Sequence, residues 1–235
     1  MKCLLIIPAY NEAENIEKVV DNIVRNYPEY DYIIVNDGSK DNTEKICLKN
    51  GYRVLNLPIN LGIGGAVQTG YCYARDNDYD VAVQIDGDGQ HDVGYLAEMI
   101  KLIESGQADV VIGSRFVEKE GFQSSQIRRI GIKFLSGLAK ILTGVRVKDI
   151  TSGYRAVNRM FINIFAEDYP SDYPEPEAMV IAAVYGGKIR EYPVVMRKRE
   201  NGESSITLKK SVYYMIKVTL AMMIRRLSFG VRRDK

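Results

Sequence analysis

The sequence predicts an α/β fold: a mostly parallel sheet with helices on both faces, followed by amphipathic C-terminal helices. Three observations carry this. Short apolar runs alternate with segments of helical period. The runs are continuously apolar, as in strands buried on both faces. Each run ends in a cluster rich in Gly, Asn and Asp, where a parallel sheet turns toward its next helix.

Residues 3–7 (CLLII) read as a buried strand. EAENIEKVVDNIVRNY places apolar residues at 16, 19, 20, 23 and 24, a helical spacing. DYIIVNDGSKDNT is a strand ending in a polar turn, with Asp41, Asn42 and Thr43 able to cap the next helix. YRVLNLP is a third strand, and GGAVQTGYCYARDN a helix after a glycine turn. DVAVQID is a fourth strand, VGYLAEMIKLIESG a helix closed by Gly106, and ADVVIGSR a fifth strand. In such sheets ligands bind beyond the carboxyl ends of the strands. Five polar clusters therefore converge on one cleft: 8–12, 36–39, 60–65, 86–92 and 113–115.

After residue 120 the pattern changes. At about 100° per residue, residues 127–145 put Ile127, Ile130, Phe134, Leu138, Ile141 and Val145 on one side, with Leu135 and Leu142 at its edge. Arg129, Lys133, Ser136 and Lys140 lie opposite. This is either a surface helix with a solvated basic face or an interfacial helix near anionic headgroups. The run 211–224 (SVYYMIKVTLAMMI) is nearly all apolar, broken by Lys217, and too short to span a bilayer. It can pack on the domain, lie in a membrane interface, or dock on a membrane partner.

The 235 residues suffice for one domain and are short for two. Three cysteines (Cys3, Cys47, Cys72) form no CxxC, which argues against a disulfide framework and fits a reducing compartment. The first apolar run has no cleavage site and meets Pro8 at once, so it reads as a strand rather than a signal peptide. A net charge of +2 hides an asymmetry. Residues 122–148 carry six basic side chains and no acid; residues 209–235 carry eight against one acid. The rest of the chain is therefore at −11, an acidic body with a basic skirt. Such a skirt predicts an anionic surface or a phosphate as partner.

The stretch VQIDGDGQHD (83–92) crowds Asp86, Asp88 and Asp92 at the end of a strand. Like charges this close are costly unless a cation sits among them. Mg²⁺ and Mn²⁺ take one or two carboxylates plus phosphate oxygens and water. Gly87 and Gly89 leave the backbone free to bring both carboxylates to one ion. The ion's natural companion is a diphosphate. A dinucleotide-binding loop is excluded: glycines 62, 64, 65 and 70 follow the third strand, not the first.

PAYNE (8–12), VNDGSKDNT (35–43), NLGIGGA (60–66), DGDGQH (86–91), GSR (113–115), DITSGYRA (149–156) and RENGESS (199–205) occur in this order. Together they resemble family 2 glycosyltransferases of GT-A fold, a Rossmann-like architecture, and more narrowly the dolichol- or polyprenyl-phosphate mannosyl- and glucosyltransferase branch. The resemblance spans residues 1–207, leaving 208–235 as a basic, apolar membrane-interface or partner-docking helix. It implies that Pro8, Ala9, Tyr10 and Glu12 cradle the nucleoside and that Asp37 binds the base. Gly38, Asn60 and Gly62 join the nucleotide-sugar site. Asp86, Asp88 and Gln90 hold Mg²⁺ or Mn²⁺ against the diphosphate. Glu12 also suits a helix N-terminus, Asn36 a plain turn, and His91 the orienting of its loop.

On the acceptor side the resemblance implies catalytic or phosphate-holding roles for Asp149, Arg155 and Arg199, with Arg128, Arg129, Ser152 and Ser204 around the acceptor phosphate. Ser205 stands where the family pattern has lysine. Asp149 equally suits a salt bridge to Arg155, and of Glu175 and Glu177 in the acidic stretch near the sugar, Glu177 is the one singled out. The expected reaction is inverting, metal-dependent transfer of a hexose from a UDP- or GDP-sugar to a polyprenyl phosphate. The enzyme is expected at the cytoplasmic membrane face, attached peripherally through 122–148 and 209–235, with a small membrane protein as a further partner and no nucleic acid. Two other readings stay open: transfer to a glycan hydroxyl in cell-surface polysaccharide synthesis, and a non-catalytic nucleotide-sugar-binding subunit.

Overall fold

The computed structural model describes residues 1–118, 126–197 and 208–233. The strands are β1 (Cys3–Ala9), β2 (Asp31–Asn36), β3 (Val54–Asn56), β4 (Val81–Gln84), β5 (Val110–Ser114), β6 (Arg155–Asn158) and β7 (Ile189–Pro193). The helices are α1 (Ile16–Asn26), α2 (Thr43–Lys49), α3 (Gly62–Asp76), α4 (Leu96–Glu104), α5 (Gln126–Thr143), α6 (Arg159–Glu167), α7 (Pro174–Val184) and α8 (Leu208–Arg233). The strands form one sheet in the order β3-β2-β1-β4-β6-β5-β7. All neighbours pair in parallel except β6, which is antiparallel to both β4 and β5.

The continuous apolar runs are explained by burial on both faces. In β1, Leu4 and Ile6 enter a core with Val67, Tyr71, Phe161 and Phe165. Leu5 and Ile7 enter a second core with Ile16, Val20, Leu96 and Met99. Alternate side chains of one strand thus face opposite helical layers, and neither face tolerates a polar residue.

The five strands and the helices between them lie where the sequence places them. β6, α6, α7 and β7 were not foreseen. β6 is only four residues long and its first side chain is Arg155, so it carries neither the apolar run nor the alternation that marks a strand.

The helical wheel of 127–145 needs correction. Ile132, Leu135 and Ala139 are the buried residues of α5, while Ile130, Phe134 and Ile141 point outward, Ile141 at 83% exposure. The side chain of Ile127 lies outside the described residues. The inward face is therefore narrower than the apolar arc, and one apolar stripe is left outside. α8 repeats this. Val218 and Met222 are buried, while Tyr213, Ile216, Leu220, Met223, Ile224 and Leu227 are exposed. At helical spacing those six fall within an arc of about 100°. A Cβ on Gly131 would lie 3.2 Å from Met215 Sδ. The Leu142 carbonyl accepts from Arg226 Nε, 84 residues along. Both contacts have the same offset, so α5 and α8 run side by side in the same direction. No helix among the described residues is long and apolar enough to cross a membrane.

Candidate active site

Strand order reverses between β1 and β4, and a cleft of about 400 Å³ opens at the carboxyl ends of these strands. Its walls come from four loops and one helix start: Pro8, Ala9, Tyr10 and Glu12 after β1; Asp37 after β2; Asn60, Gly62, Ile63 and Ala66 before and within α3; Asp86, Gly87 and Asp88 after β4; and Glu175 at the start of α7. This is the place where open α/β sheets bind ligands.

The loops are held by backbone hydrogen bonds, not by packing alone. Asp37 N–H donates to the Ala9 carbonyl at 2.9 Å, tying the ends of β1 and β2 together. The loop after β1 is fastened to the loop after β2. Glu12 N–H donates to Thr43 Oγ1, Ala13 N–H to Asp41 Oδ2, and Lys40 N–H to Asn11 Oδ1. Asp37 is 3% exposed and its Oδ1 accepts from Leu61 N–H at 2.6 Å, so it also holds the entry to α3. Burial pushes its carboxyl above the usual range, opposed by the Leu61 and Gly62 amides.

Gly38 is needed here rather than merely permitted. Its φ is +64°, and a Cβ would lie 2.9 Å from Asn60 N. It shapes the turn from behind and does not line the cleft. Asn36 is also behind, bonded to Asn56 and to Ser39 N–H as a turn residue.

The acidic loop has its own scaffold. His91 Nδ1 accepts from Asp86 N–H at 3.1 Å, and its ring stacks on Tyr154 at 4.8 Å. Tyr154 in turn donates to the Asp92 carbonyl. His91 thus shapes the loop. Asp86 and Asp88 face the cleft with hard oxygen donors, the set that suits Mg²⁺ or Mn²⁺. Among the described residues no group of three or more His, Cys, Asp or Glu could hold a metal by itself. An ion here would complete its shell with phosphate and water oxygens. Gln90 is outside the cleft lining: its amide nitrogen donates to the Arg197 carbonyl at 3.3 Å and its N–H to Asp88 Oδ1.

The acceptor-side residues fall differently from expectation. Asp149 is fully buried, and its partner is Arg115, not Arg155. Arg115 Nε and Nη2 each donate to the Asp149 carboxylate at 2.7 Å, and Arg115 N–H donates at 3.0 Å. The Asp149 N–H donates to Glu191 on β7. A carboxylate so engaged is not a free base. Arg155 is 1% exposed, beneath the cleft floor, with Nη2 donating to the Ser152 and Glu175 carbonyls. Its guanidinium cannot touch an acceptor without rearrangement, so it supports the cleft from below. Ser152 is turned inward, its hydroxyl donating to the Gly113 carbonyl at 2.6 Å. Arg128 is exposed and Arg129 half-buried at the start of α5. Arg199 and Ser204 lie outside the described residues.

Two residues outside the expected set stand out. Burial disfavours the Arg115 charge, but its bonds to Asp149 and the neighbouring Asp86 and Glu175 carboxylates hold its pKa above the usual arginine value, which keeps the guanidinium charged beside the cleft. Its signal was the GSR triplet at a strand end. Glu175, not Glu177, reaches the cleft; Glu177 accepts from Arg225 Nε at 2.9 Å. Burial pushes the Glu175 carboxyl up, Arg155 pulls it down, and Asp86 raises it further. A start of α7 at Pro174 sets both: Glu175 falls on the cleft side of the first turn, Glu177 on the α8 side.

The family model described as Glycosyl transferase family 2 matches residues 4–165. The chain is a family 2 glycosyltransferase. It is 30% identical over 216 residues to polyprenol monophosphomannose synthase of Mycolicibacterium smegmatis, covering 88% of this chain and 81% of that protein. It is 34% identical to UDP-N-acetylglucosamine–dolichyl-phosphate N-acetylglucosaminyltransferase of Methanococcus voltae, covering 81% and 83%. Among solved structures it is similar to glucosyl-3-phosphoglycerate synthase of Mycobacterium tuberculosis, in complex with Mn²⁺, UDP-glucose and phosphoglyceric acid. The TM-score is 0.74 at 19% identity, over 96% of this chain and 79% of that one. The last likeness concerns the fold: this glycosyltransferase has the GT-A architecture.

Proposed function

We propose that this glycosyltransferase moves a hexose from a UDP- or GDP-sugar to a polyprenyl phosphate, with inversion at the anomeric carbon, at the cytoplasmic face of a membrane. The observation that carries the donor half is the convergence of Asp37, Asp86 and Asp88 with the loop after β1 on one cleft. Asp37 would accept from a base N–H, and the 8–12 loop would hold the nucleoside. Asp86 and Asp88 would hold the divalent ion, with the Gln90 carbonyl oxygen reaching it after a side-chain rotation. When bound, Mg²⁺ or Mn²⁺ offsets the charge that collects on the departing nucleotide diphosphate. Glu175 would accept from sugar hydroxyls. The relatives named above act on polyprenol or dolichyl phosphates, which supports the lipid acceptor.

The state of Asp149 favours a phosphate acceptor over a glycan hydroxyl. A phosphate oxygen is already ionised at neutral pH and attacks without a general base, whereas a hydroxyl needs one. The buried Arg115–Asp149 ion pair is neutral as a unit and occupies the carboxylate, so Asp149 offers no free base, while the guanidinium stays beside the cleft. With Arg128 and Arg129 it would hold the acceptor phosphate, joined by Arg199 and Ser204. As the phosphate oxygen bonds to the anomeric carbon, the bond to the nucleotide oxygen breaks on the opposite side.

The outer stripes of α5 and α8 would seat the enzyme on the membrane. They combine exposed Ile130, Phe134, Ile141, Ile216, Leu220 and Leu227 with nearby Arg128, Arg129, Lys133, Lys140 and Arg226. That mixture suits an anionic lipid surface, and leaves room for a small membrane-protein partner. Incubation with labelled UDP- or GDP-hexose, Mn²⁺ and polyprenyl phosphate should send label into organic solvent only when the lipid phosphate is present. Label confined to water-soluble product would exclude the lipid acceptor.

A further inference from the structure

The segment between α6 and α7 touches both the outer helix and the donor cleft. On one side, Asp172 accepts from Lys217 Nζ of α8, and the Tyr173 ring meets Tyr214 of α8 edge-on at 4.6 Å. On the other, the Ser171 carbonyl accepts from Gly64 N–H at 3.1 Å, on the first turn of α3. The fit there is tight. A Cβ on Gly64 would lie 2.0 Å from the Pro170 oxygen and 2.3 Å from the Ser171 oxygen. The α3 residues on either side of it, Ile63 and Ala66, form cleft wall, as does Glu175 two residues beyond Tyr173.

Tyr173 itself is in the left-handed region, at φ +51°. A tyrosine stays there only when its surroundings hold it. Tyr173 packs on the core beneath it and meets the Tyr214 ring of α8. Helix α8 thus fixes a strained turn, and the turn fixes two walls of the donor cleft. The outer face of α8 is the exposed apolar stripe.

We propose that residues 170–173 form a strut through which the seating of α8 on an anionic lipid surface tightens nucleotide binding, with Tyr173 and Tyr214 as its positioning residues. This rests on the membrane-facing role proposed for α8 above. The physical basis is a population of seated and unseated strut. In solution the nucleotide must order the strut on binding, and its apparent affinity is reduced by the unseated fraction. A lipid surface that immobilises α8 removes that reduction. Linkage requires the converse: nucleotide must tighten vesicle binding by the same factor.

The test is titration calorimetry of UDP and of GDP with Mn²⁺ into the full chain, without polyprenyl phosphate, in the presence of phosphatidylglycerol or phosphatidylcholine vesicles. Phosphatidylglycerol should lower the Kd of the nucleotide that binds by about fivefold or more, and phosphatidylcholine should leave it unchanged. Lys217→Met removes the ion pair to Asp172 at a half-exposed position, and Tyr214→Leu removes the ring contact. Both should still float with phosphatidylglycerol vesicles, bind nucleotide no more tightly than the lipid-free wild type, and lose most of the tightening that the vesicles give the wild type. A wild-type chain that floats with these vesicles but keeps the same Kd overturns the strut and leaves the membrane reading intact. A chain that does not float at all overturns both. Full tightening in the two variants overturns the route through 170–173.

Discussion

The donor cleft and the α5–α8 face are built by opposite rules. Around the cleft, polar groups hold the loops in place: Asp37 holds Leu61, His91 holds Asp86, and Arg115 holds Asp149. On the α5–α8 face, large apolar side chains stand exposed, with nothing among the described residues covering them. The first region is preorganised for a small, charged ligand, where misplacement is costly. The second has surplus apolar area, which folding does not use and a further surface can. Substitutions should therefore divide: cleft changes alter chemistry first, outer-face changes alter attachment, and of the two faces of each outer helix only the inward one carries stability.

The largest effect is expected in the cleft. Asp88→Asn should lower turnover by about two orders of magnitude or more, with an unchanged circular dichroism spectrum, and EDTA should do the same to wild type. Activity that persists in EDTA would remove the metal from the cleft. Next come the two sides of α8. Met222→Ala, on the buried side, should cost about 2–5 kcal/mol in a denaturant titration. Leu220→Ser with Ile216→Ser, on the exposed side, should each cost no more than about 0.5 kcal/mol yet weaken vesicle flotation strongly. Equal stability losses on both sides would mean that the outer stripe is covered in the native protein.

Smaller is the electrostatic part. Arg128→Ala with Arg129→Ala should reduce flotation with anionic vesicles more at low salt than at high, since exposed charges are screened within about 8–10 Å at physiological ionic strength. Salt-independent flotation would assign attachment to the apolar stripe alone. Smallest is the pH dependence of Asp37. Burial raises its folded pKa, so its contribution to stability is full below the ordinary Asp range and is lost as pH rises through the raised value. Asp37→Asn should therefore gain in Tm relative to wild type as pH rises from about 4 toward neutrality, while losing nucleotide affinity. A gap in Tm that is flat with pH would contradict the raised carboxyl.

The legible part of this molecule was local and periodic. Five strand–helix units could be read because each strand is largely apolar and each ends in Gly, Asn or Asp; the first four of those ends line the cleft, while the fifth, 113–115, lies outside its lining. β6 and β7 were not legible. β6 begins with the buried Arg155, whose Nη2 reaches carbonyls that only the tertiary fold supplies, while its Nε and Nη1 have no hydrogen-bond partner among the described residues. The partner of Asp149 was misread for a related reason. Arg155 is near in sequence, whereas Arg115 is brought in by the pairing of β5 with β6. Ser152 and Gln90 have the right chemistry for a ligand, but their direction depends on neighbours at Gly113 and Arg197, far along the chain. The wheel of 127–145 ranked residues by hydropathy, and the core took only a narrow arc of them.

On this reading Asp86 and Asp88 share one divalent ion with a nucleotide diphosphate in the cleft. A crystal grown with Mn²⁺ and the tighter-binding of UDP and GDP tests it directly. In that crystal an oxygen of each carboxylate should lie within about 2.4 Å of the ion, with diphosphate oxygens completing its shell and the base beside Asp37. Both side chains turned to bulk solvent, with the nucleotide bound elsewhere, would contradict it.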